Sequence, residues 1–174
     1  MKAIVQTGTP VLRAVAEPVP ESLFGSKELE TLVRDMAEAL DKESDGVALA
    51  APQIGVSYRL FIVRADRTLP TNYENTQEKP EPVVDVYVNP SIVKTSRKRT
   101  RAEEGCLSVR GKYGFTRPHE RVTIKAQRLD GSKFQRGAGG LLAQIFEHEM
   151  NHLNGILFTD HAEDVMQVPP LEHE

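Results

Sequence analysis

Glu147-His148-Glu149-Met150-Asn151-His152-Leu153-Asn154-Gly155 is the stretch on which the reading of this chain turns. Residues four apart on an α-helix lie on nearly one face, about 6 Å apart along the axis. His148 and His152 can therefore offer two imidazole nitrogens to one ion. Glu149 is turned about 100° from His148, so its carboxylate can reach the reacting water without binding the ion. Leu142, Ile145, Phe146, Met150 and Leu153 surround the three, which makes this helix apolar on most sides and central to the fold. Burying two histidines and a glutamate is costly unless they are paired or ligate a metal. The spacing predicts a helix from about Gly140 to Asn154, ended by Gly155 where a left-handed C-cap is needed. A metal-dependent hydrolase is the class these residues point to.

Upstream, Lys133 to Gln135 and Arg121 to Arg128 flank Leu129-Asp130-Gly131-Ser132, a hairpin signal because Asp-Gly suits a primed turn. Val83 to Asn89 alternates as a strand that Pro90 is expected to stop. Asp66 to Pro82 reads as a long polar loop, and Arg59 to Ala65 as a strand centred on Leu60-Phe61-Ile62-Val63. Gly46 to Gly55 is small and apolar, with Pro52 excluding a continuous helix. Ser26 is a plausible N-cap for a helix to about Lys42, with Leu29, Leu32, Val33, Met36 and Leu40 on one stripe. The prolines at 10, 18 and 20 make the opening an extended segment wrapping over the domain. There is no βαβ alternation, so the expected fold is α+β, with mostly antiparallel sheets packed around a central metal-binding helix. One catalytic domain is expected over 1–165, followed by a loose tail over 166–174.

The 174 residues suffice for one sizeable core. A net charge of −3 gives the whole chain no electrostatic case for DNA or an anionic membrane. No apolar run approaches the roughly 20 residues of a membrane span, and the N-terminus lacks a signal-peptide core. The single cysteine, Cys106, cannot form an internal disulfide, so nothing calls for an oxidising compartment. A cytoplasmic monomer is the expectation.

A catalytic metal commonly takes three protein ligands and water, so one ligand remains to be found. The position six residues after His152 is Phe158, not a third histidine. Glu172 and Glu174 follow Pro169-Pro170, and Glu163, which an HExxH endopeptidase could use, stays open. Upstream, Cys106 sits in Glu104-Gly105-Cys106-Leu107-Ser108. A lone cysteine is often only a small buried hydrophobe, but a thiolate here completes a His2Cys site.

With that segment the chain resembles the peptide deformylase family over almost its whole length. Gly46-Val47-Ala48-Leu49-Ala50-Ala51-Pro52-Gln53, Glu104-Gly105-Cys106-Leu107-Ser108 and Glu147-His148-Glu149-Met150-Asn151-His152-Leu153-Asn154-Gly155 are similar to its three motifs, in order, and Pro10-Val11-Leu12-Arg13 to its opening segment. The resemblance implies protein biosynthesis and N-terminal processing: removal of the formyl group from the formyl-methionine of nascent polypeptides. It implies Cys106, His148 and His152 as metal ligands and Glu149 as general base and acid. The Gln53 side-chain amide and the Leu107 backbone N–H would donate to the oxyanion. Gly46, Val47, Ala48 and Gly105 would line the substrate groove. The family metal is iron(II) (Fe2+), with zinc, nickel or cobalt able to occupy the site.

Three positions depart from the family pattern: Ala48 for a glycine, Glu147 for a glutamine and Asn151 for an aspartate. They motivate the alternative of a deformylase-like metal-binding protein with weak or lost turnover. Ala48 is expected to crowd the groove or to restrict a left-handed backbone. Lys94, Arg97, Lys98, Arg99 and Arg101 form a basic run that offers the ribosome a transient contact, although a solvated turn is the commoner explanation of such a run.

Overall fold

The five residues Leu60–Arg64 form a strand, β2, in which every side chain is buried, and the two ways they point organise the molecule. Leu60 and Ile62 face one layer, Phe61 and Val63 the other, as the two-residue period of a strand requires. The computed structural model describes residues 2–68 and 81–168. Around β2, the strands β1 (Ala48–Ala50), β3 (Val84–Thr95), β6 (Arg121–Gln127) and β7 (Lys133–Gly139) complete an antiparallel sheet of order β1-β2-β3-β6-β7. A second antiparallel sheet has the order β4-β5-β8, from Ala102–Gly105, Lys112–Thr116 and Glu163–Gln167.

Helix α1 (Lys27–Asp41) covers one face of the larger sheet, and Leu29, Val33, Met36 and Leu40 pack there with Leu60, Ile62 and Val88. Ser26 caps it by accepting from the Leu29 N–H at 3.2 Å. Helix α2 (Gly140–Leu153) covers the opposite face, where Phe146, Met150 and Leu153 join Phe61, Tyr87 and Ile124. The Phe61 and Tyr87 rings stack at 4.8 Å, and Phe146 meets Tyr87 edge-on at 5.2 Å. Arg136 donates to the Tyr87 hydroxyl at 2.8 Å, so this buried phenol keeps its hydrogen bond. The α+β class and the antiparallel sheets are as expected.

Gly155, at φ 74°, ends α2, and a Cβ there would lie 2.5 Å from the Arg13 carbonyl oxygen. The opening segment is thus stitched to the helix end, with Arg13 also paired to Asp160. Pro90, expected to stop β3, does not. Asn89 takes φ 47° and the register shifts between Val88 and Ser91; at such a bulge the missing proline N–H is tolerated. The second hairpin strand runs on to Gly139 rather than ending at Gln135. Met166 and Gln167, expected in a loose tail from 166, pair with Tyr113 and Lys112 as the end of β8. The middle of the expected Asp66–Pro82 loop, 69–80, and the end of the tail, 169–174, lie outside the described residues. No helix among the described residues is long and apolar enough to cross a membrane.

Candidate metal centre

One turn of α2 separates His148 from His152, and their Nε2 atoms stand 3.1 Å apart. Cys106 follows β4 directly, and its Sγ lies 3.3 Å from His152 Nε2. All three donor atoms lie within 4.8 Å of one another. The thiol is held in place by the Ser108 N–H, 3.4 Å from Sγ, and by the turn in which Val109 N–H donates to the Cys106 carbonyl. Just before it, Gly105 packs against the Tyr113 ring so closely that a Cβ would sit 2.9 Å from it. Glu163, the open downstream alternative, is exposed on β8 beside Arg117 and is not part of this group.

Gln53 reaches the same point from a short 3-10 turn, Ala51–Ile54, and is 2% exposed. The Ala50 N–H donates to its side-chain oxygen at 2.9 Å, which turns Nε2 toward Ser108 Oγ at 3.1 Å and Cys106 Sγ at 3.7 Å. Leu107 offers its N–H one residue beyond Cys106, and no described residue accepts from it.

Burial sets the electrostatics. Glu149 is 3% exposed, its Oε2 has no partner among the described residues, and desolvation pushes its carboxyl up to about 7. His152 is equally buried, and desolvation, followed by the repulsion of His148, lowers it well below the ordinary imidazole value. Burial also works against the charged form of His148, but Cys106 and Glu104 prevail and raise it well above that value. His148 Nδ1 bonds Glu104 Oε1, and Thr116 Oγ1 bonds Glu104 Oε2. In the neutral ring, an Nδ1–H turned to a carboxylate leaves the Nε2 lone pair for the centre. The roles of Ser108, Thr116 and Glu104 escaped the sequence reading, although Glu104 and Ser108 lay within a motif it quoted.

The expected groove residues belong to two segments, one leading into and including the start of β1 and one at the end of β4. Gly46 and Val47 lead into β1, their carbonyls accepting from Arg67 Nη1 and the Arg64 N–H. Ala48 is an ordinary strand residue paired with Val63, its φ is not positive, and its methyl belongs to the core beside α2. The concern about a left-handed backbone therefore does not apply. Glu147 accepts from the His119 N–H at 2.9 Å, and burial raises its carboxyl. Asn151 lines a cavity of about 610 Å3 together with Glu104, Thr116, Gln144, His148 and Arg117. Of the basic run, Lys98 pairs with Glu120 and Arg101 with Asp164, all at the surface.

Two imidazole nitrogens and a sulfur converge here, and that donor set suits a first-row divalent ion. Two of the three separations, 3.1 and 3.3 Å, are near the about 3.3–3.6 Å edges of a tetrahedron with ordinary metal–nitrogen and metal–sulfur bonds, and the third is within 4.8 Å. The fold and the centre assign the chain to the metal-dependent hydrolases, and Cys106, His148 and His152 are the group among the described residues that could hold an ion.

Residues 1–168 match the family model described as polypeptide deformylase, and the chain belongs to that family. It is 39% identical over 168 residues to the peptide deformylase of Dehalococcoides mccartyi strain CBDB1, spanning 97% of this chain and 90% of that one. Peptide deformylase 2 of Bacillus cereus is 36% identical over 175 residues, with 92% and 89% covered. Among solved structures, the Met-Ala-Ser-bound class I type b peptide deformylase from Acinetobacter baumannii superposes with a TM-score of 0.79 at 33% identity, covering 92% of this chain and 99% of that one. A peptide deformylase from Legionella pneumophila gives a TM-score of 0.77 at 36% identity, covering 94% and 87%.

Proposed function

We propose that this protein hydrolyses the N-formyl group of formyl-methionine at the start of nascent polypeptides, releasing formate and a free amine. The observation that supports it is the convergence of Cys106, His148 and His152 beside the oriented amide of Gln53 and the buried carboxyl of Glu149. Cys106, His148 and His152 would hold a divalent ion, which when bound would make water a competent nucleophile at neutral pH. Glu149 takes the proton of that water and delivers it to the amine as the formyl carbon–nitrogen bond breaks. The oxygen of the formyl carbonyl gathers negative charge during attack, and Gln53 Nε2 and the Leu107 N–H donate to it. Gly46, Val47 and Ala48 form one wall of the substrate groove and Gly105 the other. As β1 is an edge strand, an extended peptide can pair along its open side.

Iron(II) is the metal we assign, with zinc, nickel or cobalt as substitutes, and the cytoplasm and a monomer are the setting. The exposed run from Lys94 to Arg101 is available for transient contact with the ribosome. The test is formate release from formyl-Met-Ala-Ser by the iron- or nickel-loaded protein. Removal of its formyl group leaves Met-Ala-Ser, the peptide bound in the Acinetobacter baumannii structure. Turnover supports the proposal; one bound equivalent of metal without formate release overturns it.

A further inference from the structure

We propose that Thr116 is a positioning residue of the metal centre: its hydroxyl anchors Glu104, and Glu104 holds His148 with Nε2 turned toward Cys106 and His152. The inference rests on the reading of those three residues as metal ligands. Thr116 is the last residue of β5 and is 6% exposed. It stands opposite Ala102 in the register, while Glu104 stands opposite Gly114. Glu104 thus has no cross-strand side chain facing it, and of its two diagonal neighbours, Lys112 and Thr116, it is Thr116 that bonds it. A side chain at 114 would be crowded, because a Cβ there would lie 3.0 Å from the Ala162 methyl and 3.1 Å from Val165.

The carboxylate needs this anchor because it has somewhere else to go. Glu104, Thr116 and His148 line the cavity of about 610 Å3, and so do Arg99, Arg117 and His161. Without a hydroxyl at 116, Glu104 Oε2 can turn toward the Arg99 and Arg117 guanidiniums, and Oε1 then leaves His148 Nδ1. The imidazole would lose the partner that fixes its tautomer and its ring plane, both of which a ligand must present correctly. The hydroxyl spends its proton on Glu104 Oε2 and leaves Oε1 to accept from the imidazole. Valine at 116 keeps the volume and removes the donor; serine keeps the donor.

The experiment compares wild type, Thr116→Val and Thr116→Ser by cobalt(II) affinity in chelator competition. The His148 Nδ1–H proton is followed by NMR in zinc-loaded protein. Thr116→Val should weaken cobalt binding about tenfold and lose the exchange-protected His148 resonance, while Thr116→Ser stays within about twofold of wild type and keeps it. Thr116→Ala, read in the same way, stands in should the valine variant not fold. Wild-type affinity and an unchanged resonance in the valine or alanine variant overturn the inference, as does equal weakening by serine. Cys106→Ala separates this from failure of the ligand reading: cobalt affinity unchanged in that variant sinks the ligand assignment and the inference together.

Discussion

Both faces of the larger sheet bury ionisable side chains, and they treat them in opposite ways. On the side of α1, Arg64 is 6% exposed, yet it donates to Asp41 at 2.7 Å and to both oxygens of Asp66 at 2.8 and 2.9 Å. Hydrogen bonding by Arg64 holds the Asp66 carboxyl down at about 2. On the side of α2, Glu149 and His152 are buried as deeply, but Glu149 Oε2 and His152 Nδ1 have no partner among the described residues. The first arrangement satisfies a buried charge at once. The second leaves the Glu149 carboxyl unsatisfied where the proposed function brings a water and a substrate carbonyl, while His152 turns its other nitrogen, Nε2, to Cys106 and His148. Local rules of polar satisfaction are broken at sites that do chemistry and kept where the fold needs only stability.

The contrast breaks first, and most strongly, at Glu149. Replacing it with glutamine keeps the volume and removes the base, so turnover should drop by about 10²–10⁴-fold with one equivalent of metal still bound. Steady-state kinetics beside metal analysis read both halves of that outcome; a fully active variant removes the proton-transfer role. Gln53→Ala comes next. Its amide is pre-turned by the Ala50 N–H, so the loss should be about 10²–10³-fold in kcat, with little change in KM for a formylated peptide.

The two buried carboxyls should also respond to pH with opposite signs in metal-free protein. The unfolded chain ionises Glu149 near 4.5 and the folded chain near 7, so between these values the folded state holds the extra proton. Stability therefore falls as pH rises through that window, by on the order of 3 kcal/mol. Asp66 ionises near 3.8 unfolded and about 2 folded, so its contribution of about 2 kcal/mol is present above 3.8 and lost as pH falls toward 2. Urea midpoints over this range, compared with Glu149→Gln, should show the first slope flattened in the variant and the second unchanged. An identical slope between 4.5 and 7 in both proteins removes the account of Glu149.

What the sequence disclosed follows the range of each signal. α1, α2 and the β6–β7 hairpin are local: a capping serine, a helical stripe and an Asp-Gly turn. Their ends fall within a residue or two of expectation, apart from the extension of β7. β8 has no such signal, since Glu163 to Gln167 are all exposed and show no alternation, and β5 is interrupted by Gly114. Pro90 misled because its tolerance depends on Asn89 adopting φ 47°, which no local pattern announces. In the centre, the histidine spacing is local, and Cys106 emerged through a motif. Ser108 and Thr116 meet their partners only because β4, β5 and the Gln53 turn come together, and pairing across such distances leaves no periodicity to read.

The smallest effect should come from the first helix, at the residue that makes α1 conventional. Ser26 accepts from the Leu29 N–H, satisfying one of the donors that every helix leaves open at its start. Ser26→Ala should cost about 1 kcal/mol, read as a shift in urea midpoint at constant slope. Because α1 and α2 touch opposite faces of the sheet, the two clusters do not share this bond, and distant sites are close to additive. Metal affinity and kcat should thus be unchanged in this variant. A drop in either would mean that the face carrying only structure and the face carrying the centre are coupled through the sheet, and the contrast between them would need redrawing.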